Sequence, residues 1–256
     1  MKFLSQYLKQ LPTALALFGI SSASVAQAEP TYEPILDYHA SSIFAQVGAP
    51  VGRLHIQTSA GNFYCTGFLI SENHLITNRH CLAKIRYDKK QKKNIPQMIK
   101  KVTLELGYID PANKTASTRY KVKLPALETN EALDYAILEV ENDPASEFGY
   151  LSISTNVIKE KSPLWIIGHP RGKAQQISRI HCKSILPARS IPNRIQHTCP
   201  AMSGSSGSPV FDASTGQVIA VHHASIKGVK PKIGLAVPFS EIIKQSMLLR
   251  KILKTR

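Results

Sequence analysis

The chain is poor in the features that mark membrane, helical and nucleic-acid-binding proteins. It has one Trp and four Cys in 256 residues, 17 acidic against 32 basic side chains, and no apolar run as long as a membrane span. The longest such run, Leu11 to Ile20 (LPTALALFGI), is short and contains Pro12, which excludes an ordinary transmembrane helix. No cysteine follows it closely, so a lipoprotein anchor is not expected. Helical periodicity is absent until the last residues, which leaves short β segments to build the fold. Aromatic residues are scarce in the densest basic stretch, Lys84 to Lys101 (KIRYDKKQKKNIPQMIKK), where only Tyr87 is interleaved among the cations. Without stacking platforms that stretch reads as a solvated surface insertion, not a nucleic-acid site.

Lys2 and Lys9, the short apolar run and the small residues Ala26-Gln27-Ala28 form a secretory signal peptide, residues 1–28, with cleavage expected after Ala28. The mature protein is then secreted or periplasmic. Cleavage removes two lysines and no acid, so the formal charge falls from +15 to +13. Such a surface suits peripheral contact with anionic partners. Four cysteines in an exported chain suggest two disulfides. Three pairings are open, of which Cys65–Cys81 and Cys182–Cys199 are the local solution. The rival is a metal site, because His181-Cys182 and His197-x-Cys199 place zinc ligands at both ends of one loop. The oxidising compartment favours the disulfides, so no metal and no cofactor is expected.

Residues 29–49 have no strong periodicity and several breakers, and read as an N-terminal extension or propeptide. From Pro50 the pattern becomes short, β-branched-rich strands between turn signals: Val51 to Gln57, Phe63 to Ile70, His74 to Thr77, Lys101 to Leu106, Thr118 to Val122 and Asp134 to Val140. Asn142 to Gly149 (NDPASEFG) is a polar linker. A second series follows: Leu164 to Gly168, Gln176 to Ser184, Arg194 to Cys199, Val210-Phe211, Val218 to His222 and Gly234 to Val237. This pattern indicates antiparallel barrels or sandwiches. We therefore divide the chain into a first β-barrel (50–149), a second (150–239) and a C-terminal α-helix (240–256) with Ser240 as its cap. That helix carries an apolar face to dock on the barrel and basic residues on the other face.

Chemistry concentrates in Ala201 to Asp212, AMSGSSGSPVFD. Gly204 and Gly207 allow positive φ, so successive N–H groups can point into one small cavity beside the Ser206 hydroxyl. His80 lies in LITNRHC at the end of an apolar strand, and Asp134 opens DYAILEV, where a buried carboxylate is costly unless paired. Nucleophile, base and orienting acid thus occur in the order His, Asp, Ser.

These segments resemble the chymotrypsin-like serine peptidases, and within them the bacterial glutamyl-endopeptidase branch. FYCTGFLISENHLITNRHC, DYAILEV, LWIIGHPRG, SGSSGSPVF, QVIAVHH and GLAVPFSEI occur in the order the family has, over most of residues 50–245. The resemblance implies two six-stranded antiparallel β-barrels (an all-β fold) with the site in the cleft between them. It implies His80 as general base, Asp134 as its orienting partner, Ser206 as nucleophile, and the Gly204 and Ser206 N–H groups as the oxyanion hole. The expected activity is a serine endopeptidase, a monomer acting on protein or peptide substrates.

Departures refine the expectation. Ser205 stands where trypsins keep the Asp that receives a new N-terminus, and Pro200 where they keep their specificity acid, so tryptic activation and specificity are not expected. His222 aligns with the histidine that holds a substrate carboxylate in the glutamyl branch, but its hydroxyl partner is replaced by Ala201. Preference for an acidic residue before the cleaved bond therefore rests on one of two groups. His223 should face the other side of its strand and reads as structural. The alternative is a catalytically silent protein of the same fold that binds an anionic partner through its basic surface. A quality-control protease with a PDZ module is disfavoured by the 50 residues left after Ser206.

Overall fold

A computed structural model describes residues 31–83, 85–88, 92–185, 191–226, 228 and 232–255. The expected signal peptide and part of the Lys84 to Lys101 stretch lie outside these residues.

The chain forms two antiparallel sheets, each rolled on itself. The first orders its strands Thr118–Val122, Ile99–Leu106, Val51–Thr58, Gly61–Leu69, His74–Thr77, Tyr135–Glu139 and Glu128–Asn130. It closes where Val122 bridges Val140, and where the Lys123 N–H donates to the Glu139 carbonyl at 2.9 Å. Thr118–Val122 and Glu128–Asn130 lie on one run of chain along the Tyr135–Glu139 strand, so the barrel wall has six strands. The second sheet runs Glu33–Pro34, Gln176–Ser178, Leu164–Gly168, Pro209–Asp212, Val218–Ser225, Gly234–Pro238, Ile195–His197 and Ser184–Ile185. A bridge between Pro163 and Lys183 joins its far end back to the start of the Leu164–Gly168 strand. The basic stretch adds a separate hairpin, Ile85–Asp88 with Lys93–Pro96.

Period-two alternation explains how one sequence fills both barrels and the space between them. Leu54, Ile56, Leu69, Leu75, Leu104, Ala136 and Leu138 pack inside the first barrel. Leu164, Ile166, Val210 and Ala220 pack inside the second. Their strand neighbours Phe68, Ile70, Ile76, Tyr135, Ile137, Trp165, Ile167, Phe211 and Val221 face outward into a shared core between the barrels. These strands are buried on both faces, so they read as apolar runs and not as clean alternation.

Both disulfides are the local ones, Cys65–Cys81 and Cys182–Cys199. The metal reading of the His181 to Cys199 loop falls, because the sulfurs it needs as thiolates are bonded to each other. Each closed loop stabilises the fold by about 3 kcal/mol in the chain-entropy picture.

The ends of the described chain differ from expectation. From residue 31 the stretch read as an extension is stitched to the second barrel: Glu33–Pro34 pairs with Gln176 and Ile177, and Ile35 is buried. The Gln175 amide donates to the Gly48 and Val51 carbonyls at 2.9 and 2.7 Å. Backbone pairing of this kind leaves no side-chain period to read. The C-terminal segment is two helices, Phe239–Gln245 and Met247–Lys254, and the first lacks a side-chain cap. Ser246, not Ser240, is the capping residue: it leaves helical geometry and its Oγ accepts from the Leu249 N–H at 2.9 Å. Ile242, Leu249 and Ile252 thereby reach the inter-barrel core. Ser246→Ala should lower the unfolding free energy by about 1 kcal/mol, measured by urea denaturation at neutral pH; an unchanged midpoint would contradict the capping role.

Candidate active site

The strand His74–Thr77 ends at Asn78, which opens the short helix Arg79–Leu82. Cys81 in that helix is tied to Cys65, so the His80 backbone is anchored while its ring stays partly open. Asp134 sits across from it with φ 57°, a left-handed conformation that Asp tolerates better than most residues. Its backbone carbonyl accepts from Asn78 Nδ2 at 3.0 Å and from the Arg79 N–H at 3.3 Å. Its carboxylate accepts from the His80 N–H at 2.9 Å and lies 2.7 Å from His80 Nδ1. An ionised carboxylate only accepts, so Nδ1 carries the proton and Nε2 offers a lone pair. Burial by itself would push the Asp134 carboxyl up. The facing His223 ring and the hydrogen bonds from His80 outweigh that and hold it far below the usual carboxylate range.

Ser206 is on the second barrel, in the turn before Pro209–Asp212. Gly204 has φ 92° and Gly207 φ 86°. A Cβ at Gly207 would stand 2.0 Å from the Thr66 carbonyl oxygen, and one at Gly204 2.5 Å from that of His169, so no other residue fits either place. The loop is held to the first barrel by Thr66, whose N–H donates to the Ser206 carbonyl at 2.8 Å and whose hydroxyl donates to the Gly204 carbonyl at 2.9 Å. Thr66 follows Cys65, so the loop meets the first barrel beside the disulfide that anchors His80. The Ser205 N–H is spent on the Met202 carbonyl. Those of Gly204 and Ser206 have no partner among the described residues, leaving two donors flanking the hydroxyl.

Next to this loop, His222 is buried with its Nδ1 3.1 Å from Nε2 of the fully buried His197. Ala201 is also buried, and its carbonyl accepts from Lys232 Nζ at 2.8 Å. His223, the next residue on the strand and expected to be structural, has its Nδ1 3.5 Å from Asp134 Oδ2. His197, Lys232, and the contacts of His223 were missed in the sequence. The doublet His222-His223 was the one visible signal, since adjacent strand residues face two environments.

Residues 65–221 match the trypsin-like peptidase domain family. Secreted RxLR effector protein 73 of Plasmopara viticola is 28% identical over 68% of this chain and 44% of its own length. Serine protease FAM111A of Mus musculus is 27% identical over 65% of this chain and 33% of its own. The chain thus spans less than half the length of these curated relatives. Among solved structures, a protease of M. tuberculosis in its active form superposes with a TM-score of 0.62 at 18% identity, covering 79% of this chain and 82% of that one. A Glu endopeptidase gives 0.57 at 20% identity over 82% and 92%, and a serine endoprotease from Yersinia pestis 0.59 at 15% over 85% and 67%. At these identities the likeness is one of fold.

Burial also ties the site region to pH. It holds His169 at about 4 and His197 at about 3, and with the neighbouring His197 drives His222 well below its ordinary 6.5. Unfolding restores the ordinary value, so below pH 6.5 the unfolded chain binds more protons than the folded one. Stability that is full above about pH 6.5 is lost as pH falls toward the folded values, by up to about 1.4 kcal/mol per pH unit for each histidine. Urea midpoints measured from pH 7.5 down to pH 5 should fall steeply; a flat profile would contradict the neutral, buried state of these rings.

Proposed function

The chain belongs to the trypsin-like peptidase family, and from that premise we propose that it is an exported serine endopeptidase with His80, Asp134 and Ser206 as its triad. The observation that carries this reading is the two-point grip of the Asp134 carboxylate on the His80 ring and backbone, which leaves Nε2 as a base. Ser206 Oγ attacks the scissile carbonyl carbon while its proton passes to His80 Nε2. The carbonyl electron pair moves onto oxygen, which the Gly204 and Ser206 N–H groups stabilise; one such donor contributes about 10²–10³ in rate. Collapse breaks the C–N bond, and the leaving amine takes the proton from His80. Water then attacks the acyl-enzyme by the same relay, releasing the carboxylic acid and restoring Ser206. No cofactor enters these steps.

Export is supported by the basic-apolar-small order of residues 1–28 and by two disulfides. On this reading the enzyme acts as a monomer on proteins or peptides, and its positive surface admits peripheral contact with anionic material. A preference for acidic residues before the cleaved bond is supported by His222 and by Lys232, whose ammonium on the Ala201 carbonyl brings a cation to the place where the expected hydroxyl is missing. Neutral His222 can donate from Nε2 to a substrate carboxylate when His197 Nε2–H donates to its Nδ1.

Peptides that differ only in the residue before the cleaved bond test both levels. We expect His80→Ala and Ser206→Ala each to lower kcat/KM by about 10⁴ or more. We expect Glu to be preferred to Ala about tenfold or more, a preference that Lys232→Ala diminishes. Turnover that survives Ser206→Ala would overturn the peptidase mechanism. Equal turnover of Glu and Ala would overturn the acidic preference alone.

A further inference from the structure

We propose that His223, clamped by Arg194, is a positioning residue that fixes Asp134 from the second barrel; the inference rests on the triad reading above. His223 Nδ1 lies 3.5 Å from Asp134 Oδ2, the oxygen that faces the His80 ring. Its other nitrogen, Nε2, accepts from Arg194 Nε at 2.9 Å. A guanidinium has donors only, so Nε2 holds a lone pair and the ring proton is on Nδ1, directed at the carboxylate. The 3.5 Å contact is at the outer edge of a hydrogen bond, as such contacts often are before substrate binds.

The strand is built to aim this ring. His222 pairs with Ala236 while Ala224 pairs with Leu235, so His223 is the extra residue of a β-bulge between them. Bulges re-aim side chains and occur next to active sites. Arg194 adds a second link between the barrels: one guanidinium nitrogen donates to the Ala132 carbonyl at 2.8 Å, two residues before Asp134, while another is steadied by the neighbouring Asn193 carbonyl at 2.9 Å. The same strand also holds the nucleophile loop, because the His222 carbonyl accepts from the Gly207 N–H at 2.8 Å. One bulged strand of the second barrel therefore fixes both the Ser206 turn and the carboxylate of the first barrel. The charged or titratable groups facing Asp134 are His80, His223 and, behind it, Arg194; Arg79 turns away to Glu131.

His223→Phe keeps the ring volume and removes the donor, whereas His223→Asn keeps a donor at the Nδ1 position. Each is compared with the parent for the rate of Ser206 labelling by a fluorophosphonate across pH 5–9. We expect His223→Phe to slow labelling about tenfold or more and to move the acid limb of the profile to higher pH, because a carboxylate short of one donor holds the His80 imidazolium more firmly. His223→Asn should recover most of the rate and the original limb. Parent-like behaviour of His223→Phe, or a His223→Asn as slow as His223→Phe, would overturn the proposal; so would a rate loss with an unmoved acid limb, which is what a packing role predicts. Nitrogen-15 NMR of the parent at neutral pH gives a readout independent of activity: Nδ1 protonated and Nε2 bare is expected, and the reversed tautomer would overturn the assignment. If that tautomer is found but the parent does not label, the peptidase reading fails and the Arg194–His223 clamp stands.

Discussion

A carboxylate cannot remain charged in a protein interior unless donors replace the water it has lost, and the arrangement around Asp134 answers that need. Its carboxylate takes the backbone and ring N–H groups of His80 and faces His223, while its carbonyl takes Asn78 and Arg79. The donors come from two pieces of chain, residues 78–80 of the first barrel and His223 of the second, so the conformations of the Arg79–Leu82 helix, the Asp134 turn and the bulged strand are mutually required. Charge on Asp134 in turn fixes which nitrogen of His80 is protonated. Fold and chemistry meet in that partly buried charge.

Around it, the two barrels are held together by a core neither could form alone. The outward faces of their strands contribute Phe68, Tyr135, Trp165 and Phe211 to one apolar layer. The terminal helices close it, with Phe239 edge-on to Phe68. That layer is close-packed and gives rigidity, at the cost of leaving Trp165 Nε1 buried without a partner among the described residues. Polar links cross between the halves through the buried Thr66 and Gln175 and through Arg194 and His223, and Thr66 holds the Ser206 turn to the first barrel. Apolar packing joins the barrels and a few hydrogen bonds register them.

Much of this was legible in the sequence, and what was not has physical causes. Short β-branched segments between turn signals located the strands because β-branched enrichment and turn chemistry are local properties. Gly204 and Gly207 announced a turn needing positive φ, which both adopt. His80 and Asp134 stood at strand ends where a carboxylate requires a partner, and they are in contact. The break at Ser246 was hidden because apolar spacing continues through it, and only the cap geometry shows where the helix stops. Residues 29–49 were read as an extension because the strand, the short helix and the side chains there that dock on the second barrel, such as Ile35 and Phe44, are too brief to give a readable period. His223 was read as structural because strand alternation gives the face a side chain occupies but not what faces it. Arg194 and Lys232 could not be found from sequence at all, since a lone cation in a loop looks like any solvated one.

The central claim is that this geometry activates Ser206. The most direct measurement is to incubate the purified protein with a phosphonate ester bearing a Glu-like side chain, digest it, and locate the adduct by tandem mass spectrometry. The account predicts a single covalent adduct on Ser206 that is abolished in unfolded protein and in His80→Ala. An intact, folded protein that acquires no adduct at Ser206, or acquires it on another residue, would contradict it.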